Sequence, residues 1–281
     1  MPPAARPIVF LSDFGLSNEW VGISHAVLNR IAPRSSIVDL SHLVPPLDVL
    51  SGALLLADSM PYIAEDAVVL AVVDPNVGKD RDIAIELTGG RHLVGPDNGL
   101  FTPTWEALGG VQKVVEITSE DVIVQPVAPM FHARDILCPA AAHLASGMAI
   151  DQLGSAFDPS TLVGLNVPEP EIQPGKVHCE VVEFNRFGNV KLNVRQAHLA
   201  AAGIEENPDL AVEAVSGSTR ARRGKTYADF AAGEYGLIFD PRGWLMVVRG
   251  NPASALEGLG LAPGDPVWIS GPASRSEVVT P

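Results

Sequence analysis

The stretch that decides the fold is AVVLAVVDPNVGKDRD, which runs from Ala67 to Asp82. It begins with six aliphatic residues, 68–73, and such an unbroken apolar run predicts a strand buried on both faces within an α/β sheet. Turn-forming residues follow at once, so Asp74 is expected at the carboxyl end of this strand, the edge at which α/β sheets bind ligands. We predict that Asp74 is a catalytic carboxylate and that Arg81 folds back to pair with it. A purely structural salt bridge is the alternative.

Two more aspartates follow predicted strands elsewhere in the first half of the chain. Asp13 comes after the apolar run 8–11, and Asp97 comes after the short run 92–94. Each could simply form a turn, but three carboxylates at one edge of a sheet favour a ligand site. Helical periodicity over 18–31, 48–60 and 139–145 alternates with these strands. Residues 1–165 are therefore predicted to form an α/β domain with a mostly parallel central sheet.

The texture of the sequence changes after residue 165. Residues 166–175 are rich in proline and predict an extended linker. Residues 176–281 contain short apolar strands separated by Gly, Asn and Pro, which predicts a small, mainly antiparallel β domain of sandwich or barrel type. The basic cluster Arg220, Arg222, Arg223 and Lys225 is interpreted as a solvated turn.

Composition excludes several classes of function. The formal net charge is −14, from 19 basic and 33 acidic side chains, which argues against nucleic acid or an anionic membrane as a partner. The two cysteines, Cys138 and Cys179, exclude a disulfide framework. The first ten residues do not resemble a signal peptide, and no apolar run approaches the ~20 residues of a membrane span. A soluble cytoplasmic protein is expected.

His132 differs from the other histidines because it lies in the sequence FHARD, between an expected loop and an expected helix. The chain lacks the close HxH, HxxxH and HExxH spacings of metal sites, so no metal centre is predicted. It also lacks the GxSxG, P-loop and GxGxxG motifs. In the second half, the sequence FNRFGNV at 184–190 combines aromatic rings, amides and a glycine, which suits a planar ligand; a bulge or hairpin turn is the alternative.

Taken together, these motifs resemble one family, the S-adenosylmethionine hydroxide adenosyltransferases, which are related to fluorinating and chlorinating enzymes. The resemblance covers nearly the whole chain: SDFG at 12–15, DPNVGKDR at 74–81, PDNGL at 96–100, FHARD at 131–135, FGNV at 187–190 and RGNPASA at 249–255. It implies a C-terminal β-barrel and a homotrimer with active sites at subunit interfaces. It also implies a reaction without a cofactor, in which water attacks C5′ of S-adenosylmethionine and releases adenosine and L-methionine.

The resemblance also implies roles for individual residues. Asp74, Arg81 and His132 match the positions that surround the water, and Asp13 matches the position that binds the ribose hydroxyls. Substrate-binding positions in the second half and the first helix are Trp20 and Asn185 near the ribose or methionine, Phe187 and Tyr227 on the adenine faces, and Asn189, Asn251 and Pro252 at the adenine edge.

Three positions differ from the residues expected in this family or in the related halogenating enzymes. Asn185 stands where the family usually has an Asp that contacts the substrate ammonium, and Leu47 replaces an aromatic residue of the halogenating enzymes. Ala133 stands where the fluorinating enzymes have a Ser in the halide pocket, which favours hydrolysis. Two alternatives stay open: a halogenase that uses chloride, and a nucleoside-binding protein with little turnover.

Overall fold

The computed structural model describes residues 5–271, and the chain divides into two compact units, up to Leu165 and from Asn166 onward. Within the described residues, no helix has the length and apolar character that crossing a bilayer requires.

The first unit is built on a seven-stranded sheet with the order β2-β1-β3-β5-β4-β6-β7. The neighbours in the series β2-β1-β3-β5 pair in parallel, whereas β5-β4, β4-β6 and β6-β7 pair antiparallel. This confirms the predicted parallel-rich α/β architecture. The strands are β1 (Ile8–Ser12), β2 (Ile37–Ser41), β3 (Val68–Val72), β4 (Asp82–Leu87), β5 (His92–Pro96), β6 (Val111–Ile117) and β7 (Gly154–Ala156).

Helices cover both faces of this sheet. Side chains of β1 and β3 alternate between two apolar clusters: Phe10 and Leu70 pack with α4, while Leu11 and Val69 pack with α2. Every residue of β3 is buried, as the apolar run 68–73 predicted. The helices are α1 (Trp20–Ile31), α2 (Val49–Ser59), α3 (Thr102–Ala107) and α4 (Cys138–Ala145).

The second unit is a closed seven-stranded barrel, β9-β10-β14-β13-β12-β11-β15, in which β15 returns to pair with β9. Closure leaves these strands without a free edge. One pairing, β12 with β13, is parallel, and the other six are antiparallel. The elements are β8 (Glu171–Gln173), β9 (Lys176–Phe184), β10 (Val190–Arg195), α5 (Gln196–Ala201), β11 (Asp209–Ala214), β12 (Gly217–Arg223), β13 (Tyr235–Phe239), β14 (Trp244–Arg249), α6 (Ala255–Leu259) and β15 (Pro266–Ser270).

Two segments of the second unit contain strands that the sequence analysis did not predict. The proline-rich segment 166–175 contains β8, which pairs with β9. Most of the basic cluster lies on β12 and not in a solvated turn. The charges of Arg220 and Arg222 were misleading because these two side chains lie on the side of the strand opposite Ala221, which is fully buried. On that side Arg222 donates to Glu234 at 2.8 Å.

The glycine at position 95 of β5 provides a test of how tightly the first sheet is packed. A Cβ there would overlap the carbonyl oxygen of Ala71 and lie 2.8 Å from Phe101 Cζ, and the backbone cannot move aside. Because overpacking a core costs about 1–3 kcal/mol even where side chains can yield, Gly95→Ala should lower the free energy of unfolding by about 3 kcal/mol or more. Urea unfolding followed by circular dichroism measures this loss.

The matched control is Gly22→Ala, on an exposed position of α1 where a Cβ meets nothing within 4 Å. That variant should gain about 0.5–1 kcal/mol, because alanine is the better helix former. Equal effects of the two substitutions would contradict the described packing.

Candidate active site

The carboxyl ends of β1 and β3 meet at one edge of the first sheet. Ser12 pairs with Val72 in the parallel register, so the loops that carry Asp13, one residue beyond its strand, and Asp74, two residues beyond its strand, begin at the same edge. Both line a cavity of about 580 Å³, together with Trp20 and apolar side chains. The structure therefore brings three predicted site residues, Asp13, Trp20 and Asp74, into one cavity.

Asp13 is held by the loop that follows β2. Its Oδ2 accepts a hydrogen bond of 2.8 Å from the backbone N–H of Leu47. Leu47 has a φ of +64°, a conformation that non-glycine residues rarely adopt, so the chain accepts local strain in presenting this N–H. Burial raises the pKa of Asp13, and the hydrogen bond from Leu47 partly offsets that effect. The functional contribution of the Leu47 backbone was not visible in the sequence.

Asp74 closes a tight turn at the end of β3, where its Oδ1 accepts a hydrogen bond of 2.8 Å from the backbone N–H of Asn76. Burial raises the pKa of Asp74, and the charges of Asp80 and Asp13 act in the same direction. The Asn76 N–H and the nearby His132 oppose this shift. Asp74 is consequently a stronger base than an exposed aspartate, which suits it to accepting a proton.

His132 is oriented by Asp82, a residue that the sequence analysis did not identify. Nδ1 of His132 lies 2.7 Å from Oδ2 of Asp82, at the start of β4. The imidazole contacts the Asp74 loop at Gly78, where an added Cβ would lie 3.8 Å from His132 Nε2. His132 itself precedes a π-helical turn, Ala133–Leu137, that leads into α4; such turns often occur at functional sites.

Burial raises the pKa of Asp82 to about 6, although His132 beside it acts in the opposite direction. The ionised carboxylate accepts a hydrogen bond from Nδ1–H of His132, and in the neutral imidazole this leaves Nε2 as a hydrogen-bond acceptor. The sequence signal for this pair was weak, namely an acidic residue directly before the apolar residues 83–85.

The expected pairing of Arg81 with Asp74 is wrong. Arg81 Nε donates to Asp97 Oδ2 at 2.9 Å, and Nη2 donates to the carbonyl of Thr161 at 2.7 Å. The guanidinium also stacks 4.1 Å from the ring centre of Phe157. Asp97, whose side chain is 2% exposed, accepts a further bond from the N–H of Val163. Because β4 and β5 are neighbours, Arg81 meets Asp97 and fastens the end of the Asp74 loop to the sheet.

Aromatic rings form a wall of the same cavity. Trp20 lies edge-to-face with Phe14, with ring centres 5.9 Å apart, and Phe131 contacts both rings at 6.3–6.4 Å. Trp20 is 43% exposed. A cavity with aromatic walls and two carboxylates is suited to a ligand that is both apolar and cationic.

The second unit carries its own cavity, of about 290 Å³, in which Phe187, Asn189, Tyr227 and Asn251 come together as predicted site residues. Phe187 and Tyr227 are 71% and 51% exposed, whereas Asn189 is buried and its Nδ2 donates to the Tyr227 hydroxyl at 3.4 Å. Exposed aromatic faces beside a buried amide suit a planar heterocycle.

Asn185 and Pro252 line an adjoining cavity of about 550 Å³, with Phe187 and Asn251 shared between the two. The amide oxygen of Asn185 accepts hydrogen bonds from the N–H groups of Phe187 and Asn189, at 3.0 and 3.3 Å. It therefore stabilises the β9–β10 hairpin loop. An Asp could accept the same two bonds, so the departure to Asn preserves the loop and changes its charge.

Comparisons with known proteins agree on one family. The profile of the SAM hydroxide adenosyltransferase N-terminal domain matches residues 8–154, and that of the C-terminal domain matches residues 179–268. An (R)-S-adenosyl-L-methionine hydrolase of Salinispora tropica is 42% identical over 94% of this chain and 97% of its own length. A protein of the same name from Thermus thermophilus is 36% identical over 94% of this chain and 99% of its own length.

A crystal structure of an uncharacterized conserved protein from Thermotoga maritima superposes with a TM-score of 0.85 at 29% identity, over 94% of this chain and all of that one. More distant relatives include a fluorinase of Actinoplanes, 27% identical over 73% of this chain and 77% of its own.

The Arg81–Asp97 pair predicts a specific pattern of stability losses. Arg81→Met should lower the free energy of unfolding by about 2–4 kcal/mol, because it leaves the buried carboxylate of Asp97 without a positive partner. Asp97→Asn removes that charge, so the double variant should be more stable than the sum of the single losses predicts. Chemical denaturation of the four proteins gives the coupling energy, and strictly additive losses would contradict the pairing.

Proposed function

The chain belongs to the SAM hydroxide adenosyltransferase family, and from this premise we propose that it hydrolyses (R)-S-adenosyl-L-methionine to adenosine and L-methionine. The family match confirms the resemblance drawn from the motifs. Support for the activity comes from relatives of 36–42% identity over almost the whole chain, which carry the name of that hydrolase.

One observation carries the proposal within the molecule: two carboxylates of raised pKa, Asp13 and Asp74, lie in a single cavity walled by aromatic rings. The substrate of this reaction is a sulfonium cation. Negative carboxylates and ring faces attract such a cation, and its positive charge in turn favours the ionised carboxylates.

The reaction is a displacement at carbon. A water oxygen forms a bond to C5′, the C5′–S bond breaks, and its electron pair neutralises the sulfonium to give the thioether of methionine. The water loses one proton to a base. Because the sulfonium leaves readily, the protein has to orient and partly desolvate the water and need not supply an acid.

We assign the handling of the water to Asp74 and His132. Asp74 has the raised basicity of a buried carboxylate, and Asp82 fixes the imidazole of His132 with Nε2 as acceptor. Arg81 then acts as a positioning residue, because its bonds to Asp97 and Thr161 secure the loop that carries Asp74. Asp13 is proposed to bind the ribose hydroxyls.

For the adenine we propose the cavity of the second unit. Phe187 and Tyr227 would stack on the faces of the base, and Asn189 with the Asn251–Pro252 backbone would bind its edge. Trp20 and Asn185 would lie near the ribose or methionine. We further propose a homotrimer in which active sites form at subunit interfaces. Sedimentation of the full chain tests this assembly.

Hydrolysis is preferred to halogenation for a local reason. Ala133 is 4% exposed and presents a methyl group, so its side chain provides no donor for a halide. We also propose that the reaction needs no cofactor, since water and a sulfonium suffice for the displacement. A cytoplasmic location stays a prediction, which cell fractionation would test.

The decisive experiment uses Asp74→Asn. Asparagine keeps the oxygen that accepts the Asn76 N–H but removes the charge, so turnover should fall by about 10²–10⁴-fold while adenosine binding stays near wild type. Chromatography of S-adenosylmethionine incubations measures adenosine and methionine, and calorimetry measures adenosine binding.

The matched control is Asp158→Asn, since Asp158 accepts an equivalent bond of 2.9 Å from the N–H of Ser160 on an exposed turn. It should keep full activity. A main product of 5′-chloro-adenosine in the presence of chloride would replace hydrolysis with halogenation, and adenosine binding without released methionine over many hours would indicate a nucleoside-binding protein.

The Asp82–His132 pair predicts the pH dependence of the reaction. Because Asp82 has a pKa of about 6 and the raised pKa of Asp74 acts in the same sense, kcat/KM should fall as the pH drops below about 6 and level off above it. Asp82→Asn should lower kcat by about tenfold or more, leave KM little changed and move the inflection.

Asp82→Glu serves as the conservative comparison, since it restores a carboxylate that can reach the imidazole. If the Asp82→Asn protein kept the wild-type pH profile and kcat, the proposal that Asp82 positions His132 would be wrong.

A further inference from the structure

A second cluster of ligand-type side chains lies apart from the cavity that holds Asp74. His25 of α1, Asp39 of β2 and His42, just after β2, converge so that one ligand atom of each lies within 4.8 Å of the others. His25 Nε2 is 2.8 Å and His42 Nε2 is 3.1 Å from Asp39 Oδ1. None of the three lines the active-site cavity.

The buried imidazole of His42 is poised as a ligand. Its Nδ1 lies 2.7 Å from the hydroxyl oxygen of Ser12, which also accepts a bond from the N–H of Phe14. An Nδ1–H that donates to Ser12 leaves a lone pair on Nε2. That Nε2 is buried in a residue only 4% exposed, and it makes no hydrogen bond among the described residues although Asp39 Oδ1 is close.

With the lone pair on Nε2, the approach of 3.1 Å to the Asp39 carboxylate is unfavourable unless a proton or a metal cation lies between the two atoms. A metal-bound histidine characteristically donates its other ring N–H to a polar partner, and the Ser12 hydroxyl oxygen lies where it can accept such a bond from His42 Nδ1. The surroundings of His42 therefore supply the outer partner that a histidine ligand needs, and they leave its buried Nε2 without a hydrogen bond among the described residues.

The spacing of the three groups fits a small divalent ion. Ligand atoms about 2.0–2.1 Å from a tetrahedral Zn²⁺ lie about 3.3 Å from one another, close to the 2.8 and 3.1 Å found here. The Asp39 side chain is 41% exposed and can move by the few tenths of an ångström required. Two imidazoles and a carboxylate leave the fourth position open to water.

We propose that His25, Asp39 and His42 bind a divalent cation of the Zn²⁺ class, at a site distinct from the catalytic cavity. The ion would join α1 to β2. It would also brace the Asp13 loop, because Gly15 donates its N–H to the His42 carbonyl at 2.7 Å and Ser12 precedes Asp13. The net charge of −14 favours cation binding. Motif searches miss the site because its ligands come from separate elements.

The test is a titration of tag-free, chelator-treated full chain with ZnCl₂ by calorimetry, with Co²⁺ as a spectroscopic substitute. The expected result is one ion per chain and visible absorption typical of four-coordinate Co²⁺. His25→Gln keeps a hydrogen bond to Asp39 but loses the imidazole, and Asp39→Asn loses the charge. Each should weaken affinity by more than about tenfold, since loss of an outer partner alone costs about 10–100-fold.

His178→Gln is the matched control, a partly exposed histidine of the second unit that stacks on Trp268. The His178→Gln variant should bind Zn²⁺ with the affinity of the wild type. Absence of stoichiometric binding in the wild type, or undiminished binding in His25→Gln and Asp39→Asn, would overturn the proposal. Neither readout depends on catalysis, so the outcome is separate from that of the proposed hydrolase activity.

Discussion

The site depends on one constraint, the parallel pairing of β1 and β3 in the buried centre of a sheet. Apolar layers on both faces fix the register that sets Ser12 against Val72. That register brings the ends of both strands to the same carboxyl edge, where the loops that follow place Asp13 and Asp74 in one cavity. The same layers limit the water around these carboxylates, and the resulting burial raises their pKa. The buried sheet therefore determines both the position of these two carboxylates and their raised pKa.

Clustered acids of this kind carry an electrostatic cost. Asp74 is close enough to Asp80 and Asp13 for their charges to raise its pKa further, and Arg81 does not neutralise it, because Arg81 binds Asp97. A site arranged for stability alone would pair these charges. Unpaired carboxylates beside aromatic walls are expected where a cationic ligand completes the charge balance, and a sulfonium does so.

The sequence predicts those features that depend on local pattern. The apolar run 68–73 gives β3, and the turn at Asp74 gives its end. The partner of Arg81 could not be predicted from local distance, because it depends on the strand order that places β5 beside β4. Strand β12 was missed because its outward charges resemble a solvated segment. The cluster at His25, Asp39 and His42 joins a helix and a strand end, so no spacing in the chain reveals it.

The dipeptide Arg81-Asp82 shows how narrowly the site is specified. Successive side chains of an extended strand point to opposite faces. Arg81 accordingly reaches Asp97, while Asp82 reaches His132. Arg81 thus anchors the loop that carries Asp74, and Asp82 orients the imidazole of His132. Shifting the register of β4 by one residue would exchange the two faces. Asp97 would then lose its contact with the Arg81 guanidinium. The same guanidinium would face His132, and the two groups would repel each other whenever the imidazole is protonated. The buried residues Ile83, Ala84 and Ile85, which fix this register, therefore control the geometry of the site although none of them lines the Asp74 cavity.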